Sequence, residues 1–168
     1  SLVSALGTPV TPGSTVGMTL SNRLLLRLVR RVPAIVRPGL RATSAVLRSL
    51  PALYRRWLTA HVSEADRTVL SDPAVAAMLR NDLAQALRQG VAGVWSDLNA
   101  LTSPWGFEMD QVDTPVDVWH GDTDRIVPQQ MGHVFAQRLP QARWRPVAGG
   151  GHFLVVPHWR EILDALCE

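Results

Sequence analysis

Lysine is absent from this chain of 168 residues, and all 17 of its basic residues are arginine. With alanine, leucine, valine and proline abundant, that reads as the codon bias of a GC-rich genome rather than as chemistry. Cysteine is nearly absent too. Cys167 alone cannot form an internal disulfide, so a reducing compartment, the cytoplasm, is the expected location. No uninterrupted apolar run approaches the roughly 18 residues of a membrane span, because Arg recurs throughout. The opening Ser1-Leu2-Val3-Ser4-Ala5-Leu6 lacks the basic start, long apolar centre and small-residue cleavage site of a signal peptide. It also lacks an initiator Met, which suggests a beginning inside a longer chain. His61, His133 and His158 have no ligand-like spacing, so neither a metal nor another cofactor is expected.

Acid is missing from one whole region. Residues 1–60 hold nine Arg and no Asp or Glu, whereas the remainder holds eight Arg against 14 acids, a balance of −6. A basic half can face anionic lipid or nucleic acid. The simpler reading is a set of amphipathic helices with Arg on their solvated faces, and no nucleic-acid partner is expected, because the aromatic interleaving of single-strand binders is absent.

What is present is the balance of a globular protein with one core, 46% hydrophobic and 18% charged. Residues 1–6 read as a buried strand stopped by Gly7-Thr8-Pro9. Ser21 or Asn22 can cap a helix with Leu24, Leu25, Leu28 and Val32 on one face. Pro33, Pro38 and Pro51 predict a run of short helices to about Ala60. Ser63-Glu64-Ala65-Asp66 gives a cap followed by two early acids suited to the helix dipole. Ser71-Asp72-Pro73 opens another helix, with Val75, Leu79, Leu83 and Leu87 on one stripe and Gly90 placed to end it. A further helix runs from Val91 to Leu101.

After Pro115 the period changes. Residues 116–120 read as a strand, 129–139 as a helix, 143–147 as a second strand with Pro146 favouring an edge, and 158–166 as a last helix. This rhythm predicts parallel α/β structure. The loop Gly121-Asp122-Thr123-Asp124-Arg125-Ile126-Val127-Pro128 and the loop Ala148-Gly149-Gly150-Gly151-His152-Phe153 then emerge side by side at the carboxyl edge of the sheet. One crossover brings a carboxylate on the first against the imidazole on the second. A histidine that takes a proton from a nucleophile needs such a carboxylate, to hold one tautomer and to stabilise the charged ring.

Strand, Gly-x-x-Asp-x-x-Val-Pro, helix, Leu-Pro, strand, Gly-x-Gly-His-Phe resembles the last two strands and catalytic loops of the α/β-hydrolase fold family. The resemblance implies Asp124 as triad acid and His152 as triad base. Asp122 is the competitor for the acid, ranked second because an Asx-type turn suits it. More weakly, residues 1–8 are similar to the core strand before the family's cap, residues 9–110 to a helical cap, and residues 111–168 to the C-terminal core segment. The expected fold is therefore α/β, a partial hydrolase sheet of about three parallel strands with a helical cap. Trp95, Trp105, Phe107 and Phe153 are candidates to line a substrate pocket at the junction of cap and sheet. His120 is expected to pack beside the site, and the six tryptophans to fill core and interfaces.

The departure from the family pattern is the nucleophile. Gly-x-Ser-x-Gly on a strand-to-helix elbow should precede both acid and histidine, and this sequence has none; Ser14, in Gly13-Ser14-Thr15-Val16-Gly17, is out of register. The implied function is the C-terminal part of an enzyme acting on an ester or related small molecule, with the nucleophile (Ser or Asp) and the oxyanion hole outside this chain. The chain by itself is expected to be inactive, its partner being the missing N-terminal core segment. Two other classes remain open. One is a non-catalytic binding protein that self-associates through an open sheet edge. The other is an Arg-rich cap acting at a membrane surface.

Overall fold

The computed structural model describes residues 1–6, 15–49 and 51–167, with the side chains of 46–48, 51, 54 and 55 left out. Ser14, and most of the loop proposed to follow the first strand, lie outside the described residues. Strand β1 (Leu2–Val3) is followed by six helices, α1 (Leu20–Arg31), α2 (Pro33–Ser49), α3 (Pro51–His61), α4 (Glu64–Ser71), α5 (Pro73–Ala86) and α6 (Ala92–Thr102). Then come β2 (Val116–Gly121), α7 (Gln129–Arg138), β3 (Ala142–Val147) and α8 (Val155–Asp164).

The three strands form one parallel sheet in the order β1-β2-β3. Leu2 pairs with Val118 and Val3 with Trp119; Val116 pairs with Ala142, and the register runs unbroken to Gly121 opposite Val147. Pro146 sits on an edge strand, where its missing N–H costs no ladder bond. The central strand carries Val118 into an apolar cluster with Met109, Phe135 and Leu139, against which Leu2, Ala5 and Trp144 pack. Its other face places Asp117 and Trp119 in register with Arg143 and Arg145. Both guanidinium groups bind the Asp117 carboxylate, at 2.6 Å from Arg143 and 3.0 Å from Arg145, and Arg145 also lies over the Trp119 ring. Burial alone raises the Asp117 pKa, but the two arginines outweigh it and hold the group below its usual value.

Several elements differ from the sequence expectation. The first strand is two residues rather than six, because Ser4 turns into the left-handed region at φ 47° and ends the extended backbone. In α1 the buried residues are Leu26 and Val29, while Leu24 is exposed. The run of three leucines fits two adjacent faces, and the cluster of Met18, Val127 and Met131 selects the one with Leu26. The short helices expected between Pro33 and Pro51 are one helix of 17 residues with Pro38 inside it. Pro38 stands on the second turn, where its missing N–H deprives only the Ala34 carbonyl of a partner. Helix α5 forms as expected from the Asp72 cap, which accepts from the Ala74 and Val75 amides, yet it buries no residue. Trp57 and Trp159 are about half exposed rather than core. Among the described residues no helix is long and apolar enough to cross a membrane.

Candidate active site

The β2 and β3 loops are tied together before any side chain of the site is considered. Gly121 faces the backbone of Gly150 and Gly151 so closely that a Cβ there would overlap the Gly150 carbonyl. The Thr123 amide and hydroxyl both donate to the Gly150 carbonyl, at 3.0 and 2.7 Å. Asp122 accepts from the Gly149 amide at 2.8 Å. Its carboxylate therefore closes one loop on the other, a bond between loops rather than the Asx-type turn within its own loop expected of it.

Asp124 is buried, and its two oxygens have separate partners. Oδ1 accepts the amides of Ile126 and Val127 at 2.8 and 2.9 Å, the geometry of an Asx turn. Oδ2 lies 2.9 Å from Nδ1 of His152. A carboxylate can only accept here, so the network assigns the His152 proton to Nδ1. Nε2 then carries the lone pair. It has no hydrogen-bond partner among the described residues, and the His152 side chain is 25% exposed. Phe153 lies edge-on to the His152 ring, 5.4 Å between centroids.

His120 is fully buried beside this pair. Its Nε2 donates to the Val127 carbonyl at 2.8 Å and lies 3.7 Å from Asp124 Oδ2, while Nδ1 has no partner. Burial pushes its pKa below the usual 6.5, against the opposing pull of the Val127 carbonyl and Asp124. It serves the site as a neutral strut that pins the acid loop.

The remaining pocket candidates fall elsewhere. Trp105 stacks on Phe107 and Phe135, and packs against the cluster of Met109, Val118 and Leu139. Trp105 is thereby held in the apolar cluster between the sheet and α7, with Phe107 stacked on it. Trp95 lies under the Arg37 guanidinium, 5.5 Å from its ring centre. Of the four aromatic candidates, Phe153 makes a ring contact with His152. Among the described residues no group of three or more His, Cys, Asp or Glu side chains converges as a metal site would require.

Two polar residues at the site escaped the sequence reading. Ser4 and Asp66 bind the peptide unit joining His152 to Phe153. Asp66 reads in sequence as a first-turn acid suited to the helix dipole, and its side chain is buried. The only local signal was the spacing from Ser63, three residues before it, which is that of a capping box with Asp in place of Glu or Gln.

The family model of the alpha/beta hydrolase fold matches residues 39–158, which include both loops. The chain belongs to the α/β-hydrolase fold family. Similar solved structures include a bromoperoxidase from Bacillus anthracis, with a TM-score of 0.58 and 20% identity over 79% of this chain and 47% of that one. An esterase from Thermogutta terrifontis, solved with malate bound, gives 0.52 and 18% over 77% of this chain and 47% of that one. No curated protein matches. The chain spans about half the length of these solved structures, and its three strands make a partial α/β-hydrolase sheet.

Proposed function

We propose that this chain supplies the acid and the histidine of an α/β-hydrolase active site that cleaves an ester or related small molecule. The supporting observation is the 2.9 Å contact between His152 Nδ1 and buried Asp124 Oδ2, which leaves Nε2 facing outward with a lone pair. In this reading Nε2 takes the proton of a nucleophilic hydroxyl as it attacks the substrate carbonyl, and returns it to the departing alcohol. A water repeats the cycle to release the acyl group. Asp124 keeps the ring in the required tautomer and stabilises the imidazolium. With an aspartate as nucleophile, the same pair would activate the water of the second step instead.

The nucleophile and the oxyanion-hole amides come, in this proposal, from an N-terminal core segment outside the chain. Strand β1 is where that segment would join. It lies at one edge of the sheet, with its outward backbone groups facing away from β2. The same edge favours self-association as a second reading, and size-exclusion chromatography of the isolated chain separates the two. A strictly monomeric, well-dispersed chain argues against the second.

The function is tested with p-nitrophenyl acetate. The isolated chain is expected to show no turnover beyond that of H152A. Turnover that H152A abolishes would locate a nucleophile among these residues and overturn the division of the site. With the preceding core segment supplied, H152A and D124N are each expected to lower kcat/KM by on the order of 10³ or more.

A further inference from the structure

The peptide unit between His152 and Phe153 is held at both ends by side chains from distant parts of the chain. The His152 carbonyl accepts from the Ser4 hydroxyl at 3.0 Å, and the Phe153 amide donates to Asp66 Oδ1 at 2.8 Å. Ser4 stands at the end of β1, 148 residues away in sequence, and Asp66 on helix α4, 87 residues away. These are the two polar groups of one plane, and fixing them fixes the backbone rotation that carries the imidazole.

Both grips are built rather than incidental. Asp66 is 1% exposed, and its second oxygen accepts from the Ser63 hydroxyl at 2.8 Å, so neither oxygen is spare. Ser63 in turn accepts the Asp66 amide at 3.2 Å as the cap of α4, which locks the carboxylate to its own helix. Gly151 packs so tightly on this carboxylate that a Cβ would overlap it. Ser4 is buried, and it adopts a left-handed backbone that an L-residue with a side chain takes at a cost of about 1 kcal/mol or more. That turn directs its hydroxyl to the histidine loop while its amide stays on the Trp119 carbonyl at 3.0 Å. Asp124 alone holds one ring nitrogen of His152 and leaves the residue a hinge at its backbone. The two grips remove that hinge.

We propose that Asp66 and Ser4 are positioning residues for His152, and that helix α4 is a fixed wall of the catalytic site rather than part of a lid that lifts from it. The assignment of a catalytic role to His152 rests on the function proposed above; the clamp itself does not. Lifting α4 would break the Phe153 bond and leave the part-buried Phe153 amide without its acceptor, which is more costly than losing a solvated contact.

The test is amide exchange and imidazole proton NMR on the chain itself. In D66A, exchange at Phe153 is expected to quicken about tenfold or more, and the Nδ1 proton signal of His152 to broaden, while Trp119 and His120 in β2 keep their protection. D66N retains an acceptor oxygen and is expected to restore most of the Phe153 protection. S4A is expected to broaden the same His152 signal more weakly, and it decides the matter if D66A does not fold. Unchanged Phe153 exchange and His152 signals in folded D66A or S4A overturn the clamp. So does a uniform acceleration that includes β2, which is the mark of general destabilisation. Neither readout needs turnover. If the exchange pattern appears but the completed enzyme does not hydrolyse esters, the hydrolase reading alone is overturned.

Discussion

The helices before residue 103 and the segment after residue 115 are stabilised in different ways. The later segment pairs buried carboxylates and a buried imidazole across elements: Asp117 with two arginines of the neighbouring strand, Asp124 with His152, and His120 with the acid loop. Met131 and Leu154 are almost wholly buried there. The helical region is looser. Helix α5 buries no residue and α6 only Thr102, while Leu20, Ile35 and Leu53 are exposed. Val29 and Val62 are nevertheless buried there, and Asp66 is a buried carboxylate bonded into the other region. The acid–histidine pair thus lies in the cross-linked segment, to which α4 is bonded through Asp66 and the start of α1 through the Thr19 amide on the Arg125 carbonyl.

The comparison breaks most readily at paired sites. Met131→Ala is expected to cost about 2–5 kcal/mol, and Met78→Ala, on exposed α5, no more than about 0.5 kcal/mol; urea denaturation followed by circular dichroism measures both. Equal costs would mean that the helices are packed as firmly as the sheet.

Protonation sharpens the same contrast. Because burial lowers the His120 pKa, the unfolded chain binds its proton more readily than the folded one. Its contribution to stability is present in full above the usual 6.5 and is lost as pH falls through the depressed folded value. His120→Gln is expected to flatten the pH dependence in that window, read from urea midpoints between pH 7.5 and 4.5.

A smaller effect is expected at Asp117. Its folded pKa is also depressed, so its contribution is present above the usual 3.8 and is lost as pH falls below it. The Arg143 and Arg145 side chains are 45% and 37% exposed, so solvent screens the pair. Asp117→Asn is therefore expected to cost about 1 kcal/mol at neutral pH, and less at pH 3. The smallest effect is expected at Arg30, on the exposed side of α1: Arg30→Gln should shift the urea midpoint by no more than about 0.5 kcal/mol equivalent.

The site was legible in sequence where its chemistry is local. Gly121, Asp124, Val127 and Pro128 lie within one loop, and the glycines before His152 announce another, so strand periodicity alone brings the two loops together. The packing of Trp105 against Phe135 on α7 is a contact between distant elements, which local pattern does not reveal. The face of α1 was ambiguous because three successive leucines satisfy more than one stripe. Ser4 and Asp66 were invisible for a different reason. Their partner is a backbone unit, and backbone groups leave no mark in a sequence. Only the fold brings residues 4, 66 and 152 to one place.

The central claim is that Asp124 holds His152 as a proton acceptor. The ¹⁵N spectrum of the neutral His152 ring in the isolated chain tests it most directly. The account predicts a protonated Nδ1 and a bare Nε2, with that preference lost in D124A. A ring protonated at Nε2, or a tautomer unchanged by D124A, would contradict it.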